Sequence, residues 1–111
     1  MNVTSGLAFL PATFAPVYAA TKAALHSFTV SLRQQLASTS IQVIEIVPPA
    51  VNTDLGGVGL HASGVPLDEY CDAVFQSLES GALEFGYGFS ERARLASRAE
   101  IDEILKRTNQ R

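Results

Sequence analysis

Apolar and polar positions follow two different periods in the first half of the chain. Residues 41–47 form a nearly continuous apolar, β-branched run, which is typical of a buried parallel strand. Before it, residues 16–37 show the three- and four-residue spacing of an amphipathic helix. The predicted apolar stripe of this helix consists of Leu25, Phe28, Leu32 and Leu36. Residues 2–4 are predicted to end an earlier strand, so the first half forms a right-handed βαβ unit.

The second half is predicted to contain a long loop, helices and one short strand. The loop covers residues 48–66 and is rich in glycine at residues 56–59. A helix is predicted from Leu67 to about Ser80, before a glycine stop signal at Gly81. Its apolar side consists of Tyr70, Val74, Phe75 and Leu78. The remaining predicted elements are a strand at 83–86, a helix at 90–95 and a helix to about 108 that opens on a Ser97–Glu100 capping box.

Composition limits the classes of protein that this chain can represent. A length of 111 residues fits one small domain, and a hydrophobic content of 47% is enough for a core. The net charge of −3 argues against a nucleic-acid partner. The single cysteine, Cys71, excludes an internal disulfide and favours a reducing compartment. Without a predicted membrane span or signal peptide, a cytoplasmic location is expected.

The candidate chemistry lies near the start of the predicted helix. Tyr18 and Lys22 are four positions apart, so a helix places them on one face. An ammonium beside a phenol stabilises the phenolate, which suits the phenol to exchange a proton with a substrate oxygen. Ser5 lies thirteen positions before the tyrosine, and its hydroxyl can hold that oxygen. The alternatives are a packed tyrosine, a solvated lysine and a loop-capping serine.

Ser5, twelve intervening residues and Tyr18-x-x-x-Lys22 resemble the active-site segment of the short-chain dehydrogenases/reductases. The sequence IVPPAVNT at residues 46–53 is similar to the family's Pro-Gly-x-Val-x-Thr segment. The resemblance is close to about residue 55. It implies an α/β fold, namely the C-terminal half of a Rossmann-like doubly wound parallel sheet with about three strands, a long catalytic helix and C-terminal helices.

The resemblance also implies an activity and a role for each candidate residue. The family's members are NAD(P)-dependent oxidoreductases that interconvert an alcohol and a carbonyl by hydride transfer. In that reaction Tyr18 is the general acid or base. Lys22 supports the tyrosine and binds the cofactor's ribose hydroxyls, and Ser5 polarises the substrate carbonyl. The cofactor is NAD or NADP, and this segment does not distinguish the two.

Three further residues match positions that contact the nicotinamide side of the cofactor in the family: Pro48, Val51 and Thr53. Pro49 departs from the family's usual glycine and removes a backbone N–H, so a cofactor contact from that backbone position is in question. The glycine-rich loop that follows resembles the family's flexible lid over cofactor and substrate.

The glycine-rich turn with which the family binds its dinucleotide is missing from this sequence. We therefore expect the chain to be the catalytic half of a dehydrogenase, either a natural fragment or a truncated gene model, and to be inactive by itself. Residues 1–111 are expected to form one partial domain. It comprises an active-site segment at 1–37, a nicotinamide-side strand and loop at 41–66, and C-terminal helices with a short strand at 67–109.

Residues 17–36 carry only two formal charges, Lys22 and Arg33, which is few for a helix with one solvent-exposed side. We expect this helix to be covered on both sides. The resemblance implies a homo-oligomer interface there, and coverage by another part of the fold is the alternative. A second hypothesis for function is a truncated, non-catalytic interaction protein that associates through this helix. For the enzyme, the expected partner is a small-molecule alcohol or carbonyl substrate, without nucleic acid or membrane.

The remaining polar residues of interest are not predicted to be catalytic or metal-binding. His26, His61 and Cys71 have no metal-ligand spacing, so no metal is expected. His26 is predicted to be a surface or interface residue, and His61 a solvated loop residue. Glu45 interrupts the apolar run at 41–47 and is expected either to pair with a basic group or to lie near the exposed end of the strand.

Overall fold

Two small sheets and four helices make up the part of the chain that the computed structural model describes, residues 1–108. The strands are β1 (Asn2–Val3), β2 (Glu45–Ile46), β3 (Val51–Asn52), β4 (Val65–Pro66) and β5 (Glu84–Phe85). The helices are α1 (Pro16–Gln35), α2 (Leu67–Glu79), α3 (Phe89–Leu95) and α4 (Arg98–Thr108). A single 3-10 turn, Gly6–Ala8, follows β1.

The larger sheet is parallel and has the strand order β1–β2–β5. Asn2 lies opposite Glu45, which lies opposite Glu84. The predicted parallel α/β architecture is thus confirmed. Of the predicted strand at 41–47, only Glu45 and Ile46 pair with the neighbouring strands. Side chains of this run still alternate, with Val43, Glu45 and Val47 buried.

Helix α1 begins at Pro16, as predicted, because proline suits the first helical position. Its buried side chains are Ala19 and Thr29. The prediction of Phe28 in the apolar stripe is wrong, since this ring is 58% exposed. Thr29 lies one position further round the helix and can be buried because its hydroxyl is satisfied. It donates to the Leu25 carbonyl at 2.7 Å and accepts from Asn2 Nδ2 at 2.9 Å.

Helix α2 matches its prediction within one residue and ends before Gly81, whose φ of +80° favours glycine. Phe75 does not belong to the buried side of this helix, because it is 64% exposed. The half-buried side has a spacing of four residues instead, at Tyr70, Val74 and Leu78. Phe75 follows Val74 and is turned by about 100° from it.

The predicted loop at 48–66 contains a short parallel pairing of β3 with β4 that the sequence pattern did not indicate. Val65 N donates to the Ala50 carbonyl at 2.9 Å. The pairing depends on glycine at position 64, because a Cβ there would lie 2.7 Å from the Val51 carbonyl carbon. A close backbone approach of this kind leaves no periodic signal in the sequence.

The capping box before α4 is confirmed by two reciprocal bonds. Ser97 N donates to Glu100 Oε1, and Glu100 N donates to Ser97 Oγ, each at 3.2 Å. The predicted domain boundary at residue 109 lies outside the described residues.

The buried apolar core of residues 1–108 is small. Its hydrophobic members are Leu10, Ala19, Val43, Val47, Phe85 and Ala93. The radius of gyration is 14.9 Å, larger than the roughly 13 Å of a closed domain of this length. The second side of α1 remains exposed at Ala20, Ser27, Val30, Ser31 and Gln34. Residues 1–108 therefore do not supply the second cover expected for this helix.

Candidate active site

The carboxyl ends of the parallel strands bring two of the predicted site segments together. Ser5 follows β1 after one residue, and Pro48 follows β2 after one residue. Gly6 N donates to the Pro48 carbonyl at 3.1 Å and joins the two loops just beyond the sheet. This edge is where open parallel α/β sheets bind their ligands.

The Ser5 side chain caps the turn that follows β1. Its hydroxyl oxygen accepts a hydrogen bond from Leu7 N at 3.1 Å, and the residue is half-buried. The capping role that the sequence left open is therefore present. It uses only the oxygen as an acceptor, so the O–H proton remains available to a substrate oxygen.

Tyr18 and Lys22 lie together on the first turns of α1. The Lys22 ammonium is 5.7 Å from the centroid of the tyrosine ring, within the range of a cation–π contact. The same ammonium donates to the Val3 carbonyl at 3.2 Å, which ties α1 to the strand that leads to Ser5. Tyr18 is 49% exposed, and within residues 1–108 its hydroxyl makes no hydrogen bond.

The nicotinamide-side candidates follow one another along the loop that leaves β2. Pro48 and Val51 are half-buried, and Val51 belongs to β3. Thr53 Oγ1 accepts from Leu55 N at 3.3 Å, which again leaves a hydroxyl proton to donate. The catalytic and cofactor roles of all six candidate residues stay predictions.

A buried carboxylate beneath this edge is the main feature that the sequence analysis missed. Glu45 is completely buried in β2 and therefore does not lie near an exposed strand end. Thr4 Oγ1 donates to Glu45 Oε2 at 2.7 Å, and His26 Nδ1 lies 2.8 Å from both carboxylate oxygens. The expectation of a basic partner is confirmed, and that partner is His26.

His26 lies only partly at the surface, and its role as an interface residue stays a prediction. Its side chain is 25% exposed, and its ring packs against Phe9 with centroids 4.4 Å apart. In the sequence, the available signal for this pair was Glu45, an acidic residue within the apolar run at 41–47. Nothing local identified its partner, because Glu45 and His26 are 19 positions apart. His61, by contrast, lies in the loop after β3 and contacts the Leu55 carbonyl at 2.8 Å.

Charged side chains continue from Glu45 and His26 to β5 and α3 and form a cluster with them. Glu84 Oε1 lies 3.8 Å from His26 Nδ1, and Arg94 donates to Glu84 Oε2 at 3.2 Å. Arg94 also pairs with Glu91, one bond measuring 2.9 Å. The hydrogen bond from the guanidinium holds the pKa of the Glu91 carboxyl below its usual range. The cluster thereby connects α1, β2, β5 and α3.

Three side chains of this cluster form a group that could hold a metal ion. Ligand atoms of His26, Glu45 and Glu84 lie within 4.8 Å of one another. Sequence spacing could not indicate this group, because its members come from three different elements. Arg94 already provides a positive charge beside Glu84. The expectation that no metal is bound stays a prediction.

The described residues also form two open apolar grooves. One of about 490 Å³ lies between the turn after β1 and the first half of α1, and one of about 350 Å³ lies between α3 and α4. Neither is lined by Ser5, Tyr18 or Lys22. No helix of the described residues is long and apolar enough to cross a bilayer.

The parallel sheet and its crossover helix α1 define a partial Rossmann-like α/β fold. The family model described as short chain dehydrogenase matches residues 1–59, and the chain belongs to that family. The resemblance of the Ser–Tyr–Lys segment is thereby confirmed at the level of the family.

Similarity to known proteins extends beyond the matched segment. The chain is 43% identical over 114 aligned residues to the uncharacterized oxidoreductase DltE of Bacillus subtilis (strain 168), a match that covers 98% of this chain and 45% of that protein. An uncharacterized oxidoreductase of Staphylococcus epidermidis is 42% identical over 55 residues, or 50% of this chain and 24% of the relative. The chain thus spans less than half the length of these relatives. No solved structure shows significant similarity to it.

Proposed function

We propose that this chain is the catalytic part of an NAD(P)-dependent oxidoreductase that interconverts an alcohol and a carbonyl by hydride transfer. The observation that carries the proposal is the Tyr18–Lys22 pair, with the ammonium 5.7 Å from the ring, beside the carboxyl edge of a parallel sheet. Membership of the short-chain dehydrogenase family and the oxidoreductase names of the relatives support it.

The proposed chemistry divides the proton work between three side chains. Tyr18 donates its phenolic proton to the substrate oxygen during carbonyl reduction, or accepts it during alcohol oxidation. The nearby Lys22 ammonium stabilises the phenolate that results. Ser5 keeps its proton and donates a hydrogen bond to the same oxygen, which holds that oxygen in place. The substrate oxygen would lie between the two hydroxyls, which are not hydrogen-bonded to each other within residues 1–108.

The residues of this chain fit only one end of the cofactor. Lys22 and Thr53 offer hydrogen-bond donors for ribose and amide groups, and Pro48 and Val51 offer half-buried apolar surface. When bound, the cofactor supplies the hydride transfer. Residues 1–111 contain no Gly-x-Gly-x-x-Gly sequence for its phosphates, because the turn from β5 to α3 has Gly86 and Gly88 but Glu91 in place of the third glycine. We therefore propose that the 111-residue chain alone is inactive, and that NAD and NADP are distinguished outside it.

Nicotinamide-nucleotide binding tests this division of labour. We expect the 111-residue chain to bind NADH and NADPH very weakly or undetectably in titration calorimetry. The full polypeptide that the gene encodes, should the reading frame extend upstream, is expected to bind one of them saturably. Tight, saturable binding by residues 1–111 would contradict the proposal that other residues supply the phosphate site.

The second candidate function is a non-catalytic interaction protein that associates through residues 17–36. The exposed side chains of Val17, Phe28 and Val30 on α1 favour it, at 75%, 58% and 40% exposure. Self-association measured by sedimentation equilibrium is expected to weaken in Val30→Asp. The matched control is Phe75→Asp, which changes a ring that is 64% exposed on α2. Equal association of both variants and the wild type would exclude this helix as the interface.

A further inference from the structure

We propose that Glu45 and His26 are positioning residues that hold the strand bearing Ser5 against the helix bearing Tyr18 and Lys22. The proposal rests on the proposed function for its meaning in catalysis. Its structural content is that one buried carboxylate joins the two segments whose relative placement the reaction requires.

The contacts of the carboxylate reach both segments. Thr4, which donates to Glu45 Oε2 at 2.7 Å, directly precedes Ser5. His26, whose Nδ1 lies 2.8 Å from both carboxylate oxygens, is one helical turn after Lys22. A shift of β1 against β2 would stretch the Thr4 contact, and a shift of α1 along the sheet would stretch the His26 contact. Either shift would also displace the phenol and the ammonium relative to the serine hydroxyl.

Burial explains why this link is specific. Glu45 is fully buried, and a carboxylate removed from water is tolerated only when donors surround it. Thr4 and His26 are those donors, so the arrangement in which both are present is strongly favoured over any slipped one. The His26 ring is itself held by Phe9, with centroids 4.4 Å apart. The Lys22 bond to the Val3 carbonyl at 3.2 Å acts in the same direction.

The arrangement assigns a tautomer to His26. Thr4 donates to Glu45, and an ionised carboxylate can only accept hydrogen bonds, so we infer that His26 donates from a protonated Nδ1. Glutamine at position 45 offers one accepting oxygen where the carboxylate offers two. With Glu45→Gln, we expect the imidazole to change its hydrogen bonding, which is visible in the ¹⁵N shifts of the ring.

The test has two readouts that separate positioning from general stability. In the full encoded polypeptide, Glu45→Gln is expected to lower kcat by about 10–100-fold with little change in KM, because a displacement of about 1 Å can cost 10²-fold. The control Val43→Ala truncates another buried residue of the same run. It is expected to lower the melting temperature but to keep kcat at a temperature where it is folded. Thr4→Val removes one donor, and its kcat is expected to lie between those of Glu45→Gln and Val43→Ala.

The second readout uses the 111-residue chain and needs no activity. In ¹⁵N spectra, His26 is expected to show a protonated Nδ1 in the wild type and to lose that signature in Glu45→Gln, with amide shifts at Ser5 and Lys22. Val43→Ala is expected to retain the signature. An unprotonated Nδ1 would overturn the proposal, and added Zn²⁺ that replaces the proton at micromolar concentration would overturn it in favour of a metal site.

Each failure is distinguishable. Should the wild-type polypeptide show no nicotinamide-dependent turnover, the proposed function fails, and the spectra still decide whether Glu45 couples the two segments. Should turnover be present while Glu45→Gln and Val43→Ala have equal kcat, the positioning role fails and the proposed function stands.

Discussion

The buried hydroxyl of Thr29 gives a sharp test of how α1 is attached to the sheet. Thr29 is fully buried and links Asn2 of β1 to the helix through a bond of 2.9 Å. Thr29→Val keeps the shape but removes this acceptor and leaves the Asn2 amide group without its partner. A lost hydrogen bond lowers the free energy of unfolding by about 0.5–1.5 kcal/mol, and leaving a buried donor unsatisfied costs about 1–3 kcal/mol. Half-burial of Asn2 and the added apolar methyl group reduce this, so we expect about 1–2 kcal/mol of destabilisation.

The matched control is Thr21→Val. Thr21 makes the same kind of bond to its own helix, from Oγ1 to the Tyr18 carbonyl at 2.7 Å, but it is exposed. We expect a change within about 0.5 kcal/mol, as for most surface substitutions. Urea unfolding followed by circular dichroism measures both variants, and an m-value of about 1–3 kcal/mol per M turns the difference into a midpoint shift on the order of 1 M. Equal midpoints for Thr29→Val and Thr21→Val would refute the argument that this bond docks the helix.

Three further predictions concern pH and backbone packing. The Arg94 hydrogen bond lowers the pKa of Glu91 from 4.5, so the ion pair stabilises the fold above that value and this stabilisation is lost as pH falls through the lower folded pKa. Arg94→Gln is expected to reduce the fall of the melting temperature in this acidic range. An unchanged fall would contradict the prediction. Burial raises the pKa of Tyr70 to about 12, so stability is expected to fall as pH rises from about 10. In an ultraviolet titration of the tyrosines, Tyr70→Phe is expected to remove the component that ionises at the highest pH. If that component persists, it belongs to another tyrosine. Gly86→Ala places a Cβ 2.7 Å from Glu91 N, whereas Gly81→Ala has open space and only an unfavourable φ. In chemical denaturation, Gly86→Ala is expected to lower the free energy of unfolding more than Gly81→Ala. The reverse order would contradict this.

Local signals predicted much of the secondary structure. Pro16 located the start of α1, the β-branched run located the central strand, and the Ser97–Glu100 box located the start of α4. Each signal acts within a few residues, through proline geometry, side-chain alternation or capping. The family was indicated by the resemblance of Ser5, Tyr18-x-x-x-Lys22 and residues 46–53 to its motifs, and the family match confirms it.

The features that the sequence did not predict depend on long-range contacts. The sequence pattern predicts Phe28 in the apolar stripe because hydrophobicity alone ranks it above Thr29. The structure buries the threonine, whose hydroxyl finds a partner on a strand 27 positions away. Glu45 stands out in the sequence as an acidic residue in an apolar run, but its burial depends on His26 approaching from a different element. Satisfied buried polar groups of this kind are determined by tertiary structure and carry no periodic signature.

Turnover by the Tyr18→Phe variant tests the central claim most directly. The measurement is nicotinamide-coupled reduction of a panel of small carbonyl compounds by the full encoded polypeptide, with equal melting temperatures as evidence of an intact fold. Because a positioned general acid contributes about 10²–10⁴-fold, we expect loss of the phenolic proton to lower kcat by at least about 10²-fold. A variant that folds like the wild type and turns over at a similar rate would contradict the assignment of Tyr18 as the proton donor.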